Sequence, residues 1–121
     1  MQPRIILADD NESVLTALRR LLEPDCEVLG CFTTCSSLLE AAPQLLPDVV
    51  VLDVSMPDMN GLEACRQLKR RIAQVRVVFL TASDDQAIED LAFEIGALGF
   101  VYKYRIATDL LPAIQEACAM P

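Results

Sequence analysis

Two hydrophobic rhythms alternate along the chain. Short unbroken aliphatic runs, RIILA (Arg4–Ala8), VVVL (Val49–Leu52) and RVVFLT (Arg76–Thr81), predict strands covered on both faces, as parallel strands are. CEVLG (Cys26–Gly30) and FVY (Phe100–Tyr102) predict two weaker strands. Between them, apolar residues recur every three or four positions, the spacing of one helix face. Val14, Leu15, Leu18, Leu21 and Leu22 mark the first helix, and Leu38, Leu39 and Ala42 the second. Leu62, Cys65, Leu68 and Ile72 mark the third, and Ala87, Ile88, Leu91, Ala92 and Ile95 the fourth. Leu110, Leu111, Ile114, Ala117 and Cys118 face inward on the fifth. Five strand–helix units joined by short links predict an α/β fold, a doubly wound five-stranded parallel sheet with right-handed crossovers.

Local signals set the expected helix ends. Pro43 and Pro47 close the second helix. Asn60 with Glu63 forms a capping box for the third, and Ser83 with Gln86 one for the fourth. Gly96 and Gly99 end the fourth. Pro112 fits the last helix only if that helix starts late, near Asp109.

Size and charge narrow the picture. A chain of 121 residues is one domain's worth, with no linker, repeat or low-complexity segment. No apolar run approaches a bilayer span, and no basic-then-apolar leader follows Met1, so a cytoplasmic protein without membrane contact is expected. A net charge of −8 argues against direct nucleic-acid binding, which needs clustered Lys and Arg. Five cysteines without a CxxC pair, and no histidine, argue against zinc and for reduced thiols acting as small hydrophobes.

The chemistry gathers where strands end. Asp9 and Asp10 follow the first strand, Asp53 the third, Thr81 closes the fourth and Lys103 follows the fifth. In a parallel sheet these residues share one edge. Taken singly, each has a plain explanation: helix caps for Asp9, Asp10 or Asn11, a loop cap for Asp53, a strand residue in Thr81, a surface lysine in Lys103. Three converging carboxylates repel one another, however, and a hard divalent cation such as Mg²⁺, or Mn²⁺, removes the conflict. With Lys103, the site is suited to a phosphoryl dianion, with Asp53 as nucleophile.

LADDN, VLDVSMPDMNG, FLTAS and GALGFVYK together resemble the receiver domain of bacterial two-component response regulators, over Arg4 to about Ala117. DVSMPDMNGLEACRQLK and DLLPAI look most like the NarL/FixJ type, which precedes a helix-turn-helix output domain. The resemblance implies a CheY-like sheet of order 2-1-3-4-5, with the crevice between strands one and three. It implies that Asp53 takes a phosphoryl group from a sensor histidine kinase or phosphotransfer protein. Asp10, Asp53 and the Ser55 backbone carbonyl would ligate the metal, Asp9 acting through a water. Thr81 and Lys103 would bind phosphoryl oxygens. Phe100, standing where the family more often has Tyr, would be the packing switch. The surface around helix 4 and strand 5 would change, with homodimerisation on phosphorylation a further implication.

On this reading residues 1–121 are one receiver domain with no output domain, either free-standing or part of a regulator of transcription. Tyr104-Arg105 departs from the Pro or Asp common after the lysine. An aspartate-nucleophile phosphatase of the haloacid dehalogenase type wants a second Asp where Ser55 stands. A flavodoxin-like carrier wants an anion where ADDNES puts carboxylates. An interaction module that never meets phosphate would not need these groups.

Overall fold

The computed structural model describes residues 2–120; Met1 and Pro121, the ends of the expected domain, lie outside the described residues. The elements are β1 (Arg4–Ala8), α1 (Glu12–Leu22), β2 (Glu27–Phe32), α2 (Cys35–Leu45), β3 (Val49–Asp53), α3 (Gly61–Arg71), β4 (Arg76–Thr81), α4 (Gln86–Glu94), β5 (Gly99–Tyr102) and α5 (Ile106–Ala119). A 3₁₀ turn, Lys103–Arg105, leads into α5. All strand pairs are parallel, in the order β2-β1-β3-β4-β5. The expected doubly wound sheet is the one observed.

Alternation along the central strands splits the core in two. Ile5, Leu7, Val49, Val51, Val78 and Leu80 face α1 and α5. Ile6, Val50, Leu52, Val77 and Phe79 face α2, α3 and α4. Five-residue strands with every residue of β3 buried explain why their sequences carry no polar alternation. Cys26, Cys35 and Cys65 are buried as small hydrophobes, and burial, ahead of the nearby Asp58 and Asp53, pushes the Cys35 thiol up to about 11.

Several expected boundaries are corrected. Pro43 does not close α2 but lies inside it. Proline deprives the carbonyl four residues back of its donor; here that carbonyl, on Leu39, accepts from the Arg71 guanidinium of α3 at 2.8 Å instead. The helix ends at Leu45 and is capped by Leu46, in the left-handed region with φ 50°, where Arg4 donates to the Leu45 and Leu46 carbonyls. Likewise α5 starts at Ile106, not near Asp109, and runs through Pro112. Pro112 and Thr108, whose carbonyl loses its donor, are both exposed, so water can replace the bond.

Strand β2 extends to Phe32 because Cys31 and Phe32 pair with Leu7 and Ala8. Gly99 belongs to β5, opposite Val78, and does not end α4. Gly96, at φ 101°, follows the end of α4. The capping boxes are corrected too. Asn60 caps α3 by accepting from the Leu62 N–H at 2.7 Å, but Glu63 turns to Gln67 and Arg66. The cap of α4 is Asp85, which accepts from Ala87 and Ile88, not Ser83.

Candidate functional site

Parallel β1 and β3 are adjacent, so the residues at their carboxyl ends come together. Asp53 is the last residue of β3, and Asp9 and Asp10 directly follow β1. Asp9 is fully buried, Asp53 nearly so, and Asp10 is exposed. One carboxylate oxygen from each lies within 4.8 Å of the other two. Lys103, in the turn after β5, reaches across β4's end to place Nζ 2.8 Å from Asp53 Oδ2 and 2.8 Å from Asp9 Oδ2. The bond to Asp53 is well directed. The approach to Asp9 is an ion pair without hydrogen-bond geometry, so Asp9 Oδ2 is buried with no directed donor.

The plain roles hold as well. Asp9 Oδ1 accepts from the Asn11 N–H at 2.9 Å, and Asn11 caps α1 through the Ser13 and Val14 N–H groups. Asp53 Oδ1 accepts from the Ser55 N–H at 3.0 Å. Each buried carboxylate therefore spends one oxygen bracing its own loop and turns the other toward Lys103. Burial pushes the Asp53 carboxyl above its ordinary value. The Lys103 and Ser55 bonds work against that push, and Asp9 adds to it. For Lys103 burial opposes the charge, but its bonds to Asp53 and Asp9 prevail and hold the pKa above the usual lysine value.

The other expected residues lie at the same edge. Thr81 is buried at the end of β4, but its hydroxyl is engaged by its own loop: it accepts from the Ser83 N–H at 3.1 Å and donates to the Ser83 carbonyl at 3.3 Å. Ser55 is exposed at the start of the β3–α3 loop and bridges to Asn60. Phe100 is half-buried against the α2–α3–α4 core, 6.4 Å from the Phe93 ring and 5.9 Å, edge-on, from the Tyr102 ring.

Two residues that shape the edge carry no signal in periodicity. Asp58 accepts from the Cys35 and Ser36 N–H groups, each at 2.9 Å, and from the Ser36 hydroxyl at 2.7 Å. It ties the β3–α3 loop to the first turn of α2, more than twenty positions back in the chain, which no local pattern could have revealed. Gly61 opens α3 against the end of β3. A Cβ there would collide with the Asp53 carbonyl oxygen and meet the Val54 Cα at 2.9 Å. Following the Asn60 cap, the glycine serves close backbone approach.

Hard oxygen donors, three carboxylates of which two are buried, fit a cation that favours oxygen and keeps its waters. Among the described residues no thiol or imidazole joins this cluster, so soft or nitrogen-preferring metals find no ligands of their kind in it. The same edge carries the Asp53 carboxylate, the Lys103 ammonium and the Thr81 hydroxyl, and the last two are donors of the kind a tetrahedral dianion accepts from.

Comparison with known proteins identifies the family. Residues 5–115 match the response regulator receiver domain family. The chain is 34% identical over 116 residues to the transcriptional regulatory protein LiaR of Bacillus subtilis, covering 94% of this chain and 55% of that protein. It is 33% identical over 117 residues to the nitrate/nitrite response regulator protein NarL of Escherichia coli, covering 95% and 54%. A LuxR-family two-component response regulator from an Aurantimonas species superposes with a TM-score of 0.93 at 30% identity, over 98% of this chain and 86% of that one. The chain thus spans about half the length of these curated relatives.

Proposed function

This chain belongs to the response regulator receiver domain family, and from that premise we propose that Asp53 is the phosphoacceptor of a Mg²⁺-dependent switch. One Asp53 oxygen attacks the phosphorus of a phosphohistidine in line. The nitrogen–phosphorus bond breaks, its electron pair stays on the imidazole, and an acyl phosphate forms on Asp53. Lys103 favours the ionised carboxylate before attack and then pairs with a phosphoryl oxygen. Thr81 gives up Ser83 to donate its hydroxyl to another. Asp10, Asp53 and the Ser55 carbonyl would hold Mg²⁺ or Mn²⁺, with Asp9 acting through a water. When bound, the ion supplies positive charge to the phosphoryl oxygens as the transition state forms.

The observation that carries this reading is the gathering of three carboxylates within 4.8 Å of one another, two of them on one lysine ammonium, at a single sheet edge. A purely structural role would not need two buried carboxylates converging on one lysine. The phosphoryl donor would be a sensor histidine kinase or phosphotransfer protein. Phosphorylation would alter the α4–β5 surface, promote homodimerisation and control a DNA-binding output domain in the whole protein. The excess of acids makes this domain itself a poor ligand for nucleic acid.

The test is incubation with acetyl phosphate and Mg²⁺, followed by intact mass spectrometry. The wild-type protein should gain the mass of one phosphoryl group, and Asp53→Asn should gain none. Equal labelling of both, or labelling unaffected by chelation of the metal, would contradict the reading.

A further inference from the structure

Phe100 carries no hydroxyl, but two residues on Tyr102 does, and its phenol donates to Glu89 Oε1 at 2.7 Å. Tyr102 is the register partner of Thr81 on the adjacent strand, as Phe100 is of Phe79. By strand alternation Phe79, Thr81, Phe100 and Tyr102 share the face that α4 covers. Glu89 lies in the first turn of α4, directly after the loop whose Ser83 holds the Thr81 hydroxyl. That helix has little else to fix it, since Ala92 is its one buried residue. The Tyr102 ring is further steadied by the edge of Phe100 and by Tyr104, stacked 5.7 Å away at 19°.

We propose that Tyr102 is a positioning residue for Thr81: by holding Glu89 it fixes the first turn of α4, and so keeps the Thr81 hydroxyl on Ser83. The inference rests on the receiver reading above and deepens it. A phosphoryl group on Asp53 must draw that hydroxyl away from Ser83, so the Tyr102–Glu89 bond opposes loading of the site. It also lies one residue from Lys103, so a lysine that shifts to meet the phosphoryl group moves Tyr102 with it. The carboxylate partner raises the Tyr102 phenol to about 12, with burial adding to the effect, which keeps the proton on the tyrosine as the donor.

The experiment measures the rate of Asp53 labelling by acetyl phosphate at saturating Mg²⁺, in the whole chain, for a double-mutant cycle. Tyr102→Phe should label about fivefold faster than wild type, the equilibrium factor of one ordinary hydrogen bond. Glu89→Ala should match it, and the double variant should be no faster than either. Glu89→Gln, which keeps an acceptor oxygen, should stay near the wild-type rate; a damaged fold would instead slow every variant.

A spectroscopic signature accompanies the kinetics. The chain has two tyrosines and no tryptophan, so Tyr104→Phe leaves Tyr102 as the sole strong emitter. Its emission, quenched by the carboxylate, should rise on loading with acetyl phosphate and Mg²⁺. Tyr102→Phe labelling at the wild-type rate, or Tyr102 emission that ignores loading, would overturn the inference while wild-type labelling leaves the receiver reading intact. Absence of wild-type labelling would instead overturn the reading, and the inference with it.

Discussion

Helices α3 and α4 cover the same face of the sheet and both start beside the acidic edge, yet they are held in different ways. Along α3, Gly61, Leu62, Ala64, Cys65 and Leu68 are buried, Asn60 caps its start, and Gly61 lets its first turn sit on the backbone of Asp53 and Val54. Along α4 only Ala92 is buried, Phe93 is 46% exposed, and Ala87, expected on the inner face, is exposed. Ile88, Leu91 and Ile95 pack only partly. One helix fixes the end of the strand that carries Asp53. The other follows the loop after Thr81 and is the more weakly packed of the two. The switch proposed above would need one helix of each kind, because elements that move in regulation come from the weakly packed end of a structure.

The contrast can be broken first by truncating equivalent leucines. Leu68→Ala on α3 should cost about 2–5 kcal/mol of stability, as deletion of a fully buried leucine does. Leu91→Ala on α4, half-buried, should cost about 1 kcal/mol or less. Urea unfolding of the two variants gives both values, and equal losses would remove the distinction.

Next comes a pair of glycines. Gly61→Ala brings a Cβ against backbone of β3 that cannot yield, so labelling of Asp53 should fall by about tenfold or more, with about 1–3 kcal/mol of stability lost. Gly96→Ala, just past α4, is strained by its φ of 101° but meets only the flexible end of Lys69. It should cost about 1 kcal/mol and leave the labelling rate near wild type.

The smallest effect concerns the loop before α3. Asp58 is held down to about 2 by the Ser36 hydroxyl and the Cys35 and Ser36 N–H groups, against an ordinary 3.8. A carboxyl depressed on folding adds stability above its ordinary pKa and loses it as pH falls through the folded value. Asp58→Ala should therefore be less stable than wild type at neutral pH, and the gap should close between about pH 4 and about pH 2. Denaturant titrations at pH 7 and near pH 2.5 check the sign.

These two helices also mark how far the chain could be read without coordinates. The sheet was legible because buried parallel strands leave continuous aliphatic runs, and the acidic edge because such strands all end on one side. The stripe of α3 predicted a buried face, and α4 carried an equally good stripe. Periodicity says which residues share a face, but not how closely that face meets the sheet. Pro43 misled for a related reason: its compensating donor, Arg71, lies on another helix. Asp58 and Tyr102 were missed because their partners, Ser36 and Glu89, are distant in sequence and meet only in the fold.

Amide hydrogen exchange, read peptide by peptide before and after loading with acetyl phosphate and Mg²⁺, tests the division of labour most directly. Exchange over residues 82–95, the α4 segment with its leading loop, should change on loading, while residues 61–71 of α3 should exchange as before. A response spread equally over both helices, or confined to α3, would contradict the account.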